Sequence, residues 1–168
     1  IYFDLNVSGK KGNALIGAYD ADGNIVWSWH IWVTDTPAAH EYINYSSVHF
    51  GTYMDRNLGA LTATPGEAGI AGLLYQWGRK DPFLTSGDIA SKTPNRVASS
   101  VLSEDMQWMV IPSSQVVGKV AFATKNPTTF ITGVSPNYSW LHTPDISLWG
   151  DVKTIYDPCP AGWKVAQS

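Results

Sequence analysis

The chain of 168 residues is long enough for one ordinary domain with a sizeable core, and its formal net charge is −3. Lysine and arginine form no cluster, which argues against nucleic acid as a partner. No stretch approaches the run of about 20 apolar residues that a membrane-spanning helix needs. Only 15% of the residues are charged, whereas eight are Trp and eight are Tyr, a composition more typical of a rigid extracellular module than of a cytosolic enzyme.

Cys159 is the only cysteine and lies between Pro158 and Pro160. A single thiol forms no intrachain disulfide and no cysteine-based zinc site, so we expect packing to hold the fold. A nucleophilic thiol needs a low pKa and a neighbouring base, and the two flanking prolines favour a rigid structural turn instead.

The N-terminal region predicts a strand followed by a β-hairpin. Residues 1–7 form the strand in this interpretation. Residues 13–20 and 25–35 form the hairpin, because the segment between these two extended runs carries Asp22-Gly23, a strong turn signal.

The second hairpin strand has two unequal faces, because side chains alternate along a strand. Its apolar face predicts a core and consists of Ile25, Trp27, Trp29, Ile31 and Val33. The other face is mixed. There, His30 and Trp32 could form an exposed pair that stacks on sugars, or a following loop could cover them, and the abundance of Trp favours the covering loop.

The most unusual stretch is GLLYQWGRKDPF, residues 72–83. It predicts a short buried segment and then a sharp turn, because leucines and aromatics come first and Gly78 allows backbone conformations closed to other residues. Arg79 and Asp81 could pair across that turn. A structural role is the favoured interpretation, and the alternative is a ligand-facing loop with Trp77 and Arg79 at its tip.

The segments between the hairpin and this stretch give weaker signals. Residues 36–47 predict a polar connection, residues 48–54 an extended run, and residues 62–72 a flexible loop or a short helix. Asp55 and Arg56 are expected to satisfy the backbone or each other.

After the stretch, residues 84–100 are polar and predict a long surface loop. Residues 101–110 are ambiguous between a helical turn and an edge strand stopped by Pro112. Residues 116–124 predict a strand, and residues 126–131 a turn that leads into another short strand.

Motifs for catalysis are missing from the sequence. It has no Gly-x-Ser-x-Gly, no His-Glu-x-x-His, no phosphate-binding loop and no Cys-x-x-Cys. The four histidines also lack the i, i+4 spacing of a helical metal pair. We therefore expect no enzyme, no metal and no cofactor, and an enzyme acting on glycans is the least favoured alternative.

Five blocks stand out along the chain: DGNIVWSWHIW (22–32), MDRNLGA (54–60), YQWGRKDPF (75–83), NPTTFI (126–131) and YDPCPAGW (156–163). In this order they resemble successive motifs of fimbrillin-like surface proteins from Bacteroidetes. The later blocks are also similar to the Fibrobacter succinogenes major paralogous domain.

The resemblance implies a module exported to the bacterial cell surface, attached to the outer membrane through other parts of a larger lipoprotein or pilus subunit. It also implies an α+β, β-rich, C-type-lectin-like fold. Residues 1–168 would form a single domain, shortened at its C-terminus, with the strand and hairpin in residues 1–35 and the lectin-like core in residues 48–168. The calcium-ligand motifs of glycan-binding C-type lectins, Glu-Pro-Asn, Gln-Pro-Asp and Trp-Asn-Asp, are absent, which argues against calcium-dependent sugar binding.

Two hypotheses for function follow. The first is a non-enzymatic adhesin that binds a glycan or a host protein through exposed aromatics, with a site formed by Trp77, Arg79, His30, Trp32 and Trp140. The second is an assembly module of a pilus or surface complex that has no small ligand and takes up a partner strand at an exposed sheet edge.

Overall fold

A computed structural model describes residues 4–6, 8–43, 49–83 and 109–166. This part of the chain is rich in strands, which confirms the β-rich prediction. The elements, in chain order, are β1 Gly12–Tyr19, β2 Ile25–Val33, β3 Ala39–Ile43, β4 His49–Met54, β5 Leu74–Tyr75, β6 Pro82–Phe83, β7 Met109–Pro112, α1 Val120–Lys125 and β8 Thr129–Thr132. Short 3-10 turns cover Ala68–Ile70 and Ile146–Trp149.

The predicted hairpin is confirmed, because β1 and β2 pair antiparallel, with Gly12 opposite Val33 and Gly17 opposite Ser28. In the turn, the Asp20 carboxylate accepts hydrogen bonds from the backbone N–H groups at positions 22 and 24, and Gly23 adopts a φ of +82°. Of the strand predicted for residues 1–7, residues 4–6 lie outside any strand and the others lie outside the described residues.

Strand β4 agrees with the predicted extended run, but its partner β3 was not predicted. β3 lies within residues 36–47, which were interpreted as a polar connection, and it pairs antiparallel with β4. All five of its residues are exposed. An exposed strand has no apolar face, so the period-two pattern that reveals a half-buried strand is missing here.

The strand predicted for residues 116–124 is wrong, because the structure has a turn there followed by α1. The apolar residues Val117, Val120 and Ala123 are spaced by three and face one cluster, which is a helical spacing. Short apolar runs with β-branched residues fit either period, and here the packing against Ile131 and Trp140 decides for the helix.

Strands β7 and β8 form a parallel pair that continues through the hydrogen bond from Ser113 N to Thr132 O. This agrees with the edge strand before Pro112 and with the turn and strand predicted for residues 126–131. Residues 84–100 and 101–108, and the surface loop predicted for the first of these ranges, lie outside the described residues. Among the described residues, no helix is both long and apolar enough to cross a membrane.

Two clusters of buried apolar side chains form the core of the described part. The smaller one contains Leu73 and Phe83, with three half-buried neighbours: Leu61, Tyr75 and Phe130. The larger one contains Ala123, Ile131, Trp140, Leu141 and Leu148. The segment between β5 and β6, residues 76–81, lies between the two clusters.

Arg79 attaches this segment to the turn before β8. Its guanidinium is 2% exposed and donates to the backbone carbonyls of Thr129, Asn126 and Pro127 at 2.7, 3.3 and 3.3 Å. It also donates to the side-chain oxygen of Gln76 at 2.9 Å. Because these bonds come from a charged donor in a buried site, they are stronger than ordinary neutral hydrogen bonds.

The expected pair of Arg79 and Asp81 is not formed, because Asp81 is bound by two other groups. Lys80 donates to the Asp81 carboxylate at 2.7 Å, and the Ser28 hydroxyl donates to the same oxygen at 2.6 Å. Lys80 also donates to Ser28 at 2.5 Å and lies 4.5 Å from the centre of the Trp27 ring. This buried ion pair therefore fastens the segment to the hairpin strand β2.

We predict that Arg79→Ala lowers the free energy of unfolding by about 3 kcal/mol or more, because several buried carbonyls lose their only charged donor. Urea denaturation followed by circular dichroism measures the change. Lys125→Ala, at an exposed position at the end of α1, is the control and should change the stability by less than about 0.5 kcal/mol. A loss below about 1 kcal/mol for Arg79→Ala would contradict the proposed docking role.

Candidate ligand-binding groove

An open groove of about 570 Å³ lies between the β5 segment and the chain that follows β8. One wall is Leu74, Tyr75, Gln76 and Trp77. The other wall is Phe130, Ile131, Gly133, Tyr138, Ser139 and Trp140. Its volume lies within the range of small-molecule sites, and seven of these ten residues are apolar or aromatic.

Direct hydrogen bonds hold the two walls together. The Gln76 amide donates to Ile131 O at 2.8 Å and accepts from Ile131 N at 3.2 Å, so it pairs with the backbone of β8. The Trp140 indole N–H donates to Trp77 O at 2.6 Å. The groove is thus set by the same contacts that stabilise the fold, and its shape exists before any ligand arrives.

Three large apolar or aromatic side chains are exposed at the groove. Leu74 is 46% exposed, Trp77 44% and Tyr138 76%. The Trp77 ring also packs against Trp149, with ring centroids 5.8 Å apart. Trp77 is therefore held in place on one part of its surface while nearly half of it remains accessible.

Tyr138 lies at the end of a tight loop. Its backbone N–H donates to Val134 O at 3.0 Å, and its φ is +49°, in the left-handed region that residues other than glycine rarely adopt. At Gly133 a Cβ would come within 2.0 Å of Tyr138 O, so only glycine allows the loop to close this tightly. The loop presents Tyr138 on the wall opposite Trp77.

Of the five predicted site residues, the structure brings Trp77 and Trp140 together in this groove. Their roles differ, because Trp140 is only 5% exposed and serves as the inner wall. Arg79 was expected at the tip of the loop as a ligand contact, but it is buried beneath the groove, where its guanidinium lies 5.6 Å from the Trp140 ring centre. The exposure expected for Arg79 and Trp140 is therefore wrong.

His30 and Trp32 are not among the residues that line the groove, and they lie on the face of β2 that the following loops cover. The Trp32 indole N–H donates to Ala60 O at 3.0 Å, and His30 Nδ1 accepts from the Tyr75 hydroxyl at 2.7 Å. This agrees with the favoured interpretation of a covering loop. The exposed sugar-stacking pair, the other alternative at this position, is not formed.

His30 belongs to a directional chain of hydrogen bonds. Asn13 Nδ2 donates to Gly59 O at 2.8 Å, so Asn13 Oδ1 is the acceptor for His30 Nε2 at 2.8 Å. His30 Nδ1 then accepts from Tyr75. One donor and one acceptor nitrogen describe a neutral imidazole. Burial lowers the pKa of His30 to about 4 and raises the pKa of the Tyr75 phenol.

Burial also lowers the pKa values of two buried cations, Arg79 and Lys80. Burial lowers the pKa of Arg79 to about 10, against an opposing influence of the Asp81 charge, so the guanidinium is still charged at neutral pH. Burial also lowers the pKa of Lys80, and the adjacent Asp81 opposes that change. Arg79 therefore acts as a structural donor rather than as a group that exchanges protons near pH 7.

Asp157 organises the block around Cys159. Its carboxylate accepts from Cys159 N at 2.8 Å, from Val165 N at 2.9 Å and from the Lys153 ammonium at 2.7 Å. Burial raises the pKa of Asp157, but these three hydrogen bonds outweigh burial and the net shift is downward. Burial, and then the Asp157 charge, raise the pKa of the Cys159 thiol to about 12.

A second groove of about 560 Å³ runs between β4 and residues 163–166. Its charged groups already have partners, since Arg56 forms a two-pronged pair with Asp55, as expected, and Lys164 lies 3.9 Å from Asp151. Among the described residues, no group of three or more His, Cys, Asp or Glu side chains is placed to hold a metal ion.

Sequence reasoning missed Leu74 and Tyr138. A signal for Tyr138 was present, because Ser135-Pro136-Asn137 is a turn sequence and places the next side chain at a loop tip. Leu74 gave no signal, since a leucine beside Leu73 in an apolar run looks like core.

Comparison of the sequence with protein-family models, with curated proteins and with solved structures gives no match.

We predict that acid weakens the fold through His30. The pKa of His30 is about 6.5 when unfolded and about 4 when folded, so the unfolded chain binds the proton more readily. The contribution is complete above pH 6.5 and is lost as the pH falls to 4, by up to about 3 kcal/mol. Urea denaturation between pH 7 and pH 4 measures it. His30→Gln should flatten this dependence, whereas His142→Gln, at an exposed site, should not; equal slopes for all three proteins would refute the role of His30.

We also predict that the Cys159 thiol is inert in the folded protein. With a pKa of about 12 it stays protonated at pH 8, and alkylation by iodoacetamide should be at least about a hundredfold slower than in urea. The double variant Cys159→Ser/Thr143→Cys, with its thiol at an exposed position, provides the matched fast-reacting control. Native Cys159 reacting as fast as that control would contradict the prediction.

Proposed function

We propose that this chain is a non-enzymatic ligand-binding module of the bacterial cell surface, and that the groove beside Trp77 is its binding site. The observation that carries the proposal is a preformed groove with three exposed apolar or aromatic side chains, Leu74, Trp77 and Tyr138. Aromatic side chains held by packing offer large contact areas at low conformational cost.

The proposal also includes a protein family and a cellular location. The five sequence blocks support a fimbrillin-like surface protein with a C-type-lectin-like fold, carried by a larger protein at the outer membrane. Two of these blocks contribute to the groove lining, residues 75–83 through positions 75–77 and residues 126–131 through Phe130 and Ile131. The resemblance and the candidate site therefore involve the same part of the chain.

We predict that Trp77→Ala and Tyr138→Ala each weaken ligand binding about tenfold or more, because each removes exposed contact area from a groove wall. The measurement is a screen of the soluble domain against a glycan array and a panel of fibrinogen, fibronectin and collagen. Tyr42→Ala, at an exposed tyrosine outside the groove lining, is the matched control. Binding that persists in both groove variants, or an absence of binding by the folded protein, would contradict the assignment of the groove as the binding site.

A second candidate function is strand-mediated assembly, with pilus or surface-complex subunits as partners. It is favoured by β3, whose residues are all exposed and which pairs only with β4 among the described strands. Tyr42 and Ile43 on β3 are 64% and 56% exposed, and Tyr42 meets Tyr53 of β4 edge to face. An exposed strand edge with apolar side chains is a template for strand addition.

We predict that, if this second function holds, the domain self-associates at high concentration and Ile43→Lys prevents it, since a charged edge residue opposes strand pairing. Sedimentation velocity measures the association. Leu74→Lys, with similar exposure in the groove instead of on β3, should leave it unchanged. A monomer at all concentrations would count against assembly between copies of this chain.

A further inference from the structure

We infer that the ligand of the Trp77 groove is an uncharged saccharide, bound by stacking and without calcium. This inference rests on the proposed function, since it names the class of ligand for the same groove. It follows from the chemistry of the lining, and it excludes acidic saccharides and charged peptide segments as preferred ligands.

Among the described residues, the groove lining contains no ionisable group other than two phenols. Its ten residues are Leu74, Tyr75, Gln76, Trp77, Phe130, Ile131, Gly133, Tyr138, Ser139 and Trp140. None carries a carboxylate, an ammonium, a guanidinium or an imidazole. A charged ligand that entered would give up water and gain no partner of opposite charge, and such a loss is costly.

Arg79 is a buried cation that contacts two lining residues, Gln76 and Trp140, and only its Nε–H is without a hydrogen-bond partner among the described residues. Its guanidinium carbon lies 5.6 Å from the Trp140 ring centroid, and the residue is 2% exposed. Both terminal nitrogens donate to Gln76 or to carbonyls of the turn before β8. Because Arg79 is almost fully buried and both terminal nitrogens are already bonded, this cation is poorly placed to pair with an anionic ligand in the groove.

The exposed side chains suit the apolar surface of a sugar. Trp77 and Tyr138 both line the groove, and aromatic rings cover the apolar C–H surface of a sugar. The sugar hydroxyls need polar groups, and the Ser139 and Tyr138 hydroxyls can both donate and accept. Ser139 already accepts from Leu141 N at 3.1 Å and keeps its own O–H for another acceptor.

Gln76 has at most its second amide N–H to offer a ligand, because its oxygen accepts from Ile131 N and Arg79 and its first N–H donates to Ile131 O. It fixes the separation of the walls. Binding would thus draw on stacking and a few neutral hydrogen bonds, and should depend little on ionic strength, unlike binding between opposite charges.

The test uses the whole chain on an array that pairs neutral oligosaccharides of glucose, galactose, mannose, xylose and N-acetylhexosamines with their sialylated, sulfated or uronic acid counterparts. We expect the neutral members to bind and their acidic counterparts to bind at least about tenfold more weakly. Binding should be unchanged by EDTA and by raising the salt from about 0.05 to about 0.5 M. Titration calorimetry with an oligosaccharide that binds on the array then gives its affinity for the variants Trp77→Ala, Tyr138→Ala and Tyr42→Ala.

The outcomes distinguish failure of the inferred ligand class from failure of the proposed function. Neutral binders that are lost in the two groove variants and kept in Tyr42→Ala support the inference. Trp77-dependent binding that is confined to acidic glycans, to proteins, or to calcium-containing buffer overturns the inference and leaves the proposed groove in place. If the folded domain binds no glycan and no protein, both the inference and the proposed function are overturned.

Discussion

The described fold depends on the docking of residues 76–81 between the hairpin and the β7–β8 unit. Arg79 supplies the docking on one side through three backbone carbonyls, and the Lys80–Asp81 pair supplies it on the other through Ser28. Buried charges are costly unless their hydrogen bonds are satisfied. Most of those bonds are made here, and Arg79 Nε is the one buried side-chain polar atom without a partner among the described residues. Because these charges need this particular set of partners, the docking is specific as well as stabilising.

The same docking explains where the groove lies. Gln76 binds the backbone of β8 and Trp140 binds the carbonyl of Trp77, so the distance between the walls is fixed by the contacts that join the core clusters. Gly78 makes this possible, because its φ is +81° and a Cβ there would meet Leu148 at 2.9 Å. Residues 76–81 can therefore hold the fold together while Trp77, within the same segment, stays exposed at the groove.

The sequence predicts the parts of the fold whose signals are local. The hairpin follows from the Asp-Gly turn and from period-two alternation, and β8 from the turn at Asn126. β3 could not be predicted because an exposed strand has no apolar face. At the site, Trp77 was predicted, but the burial of Arg79 was not, because its acceptors lie up to 50 residues further along the chain. Only the folded structure brings those carbonyls to it.

The tryptophans have different structural roles, which follow from what each indole N–H binds. Trp32, Trp140 and Trp149 donate to backbone carbonyls, at Ala60, Trp77 and Tyr156 respectively, and so serve the fold. Trp77 is 44% exposed, and its ring packs against Trp149. A ring already restrained by packing loses little freedom when a ligand covers the rest of it. The buried Trp140 and Trp149 thus restrain the exposed Trp77, which is the rigidity that the proposed binding site requires.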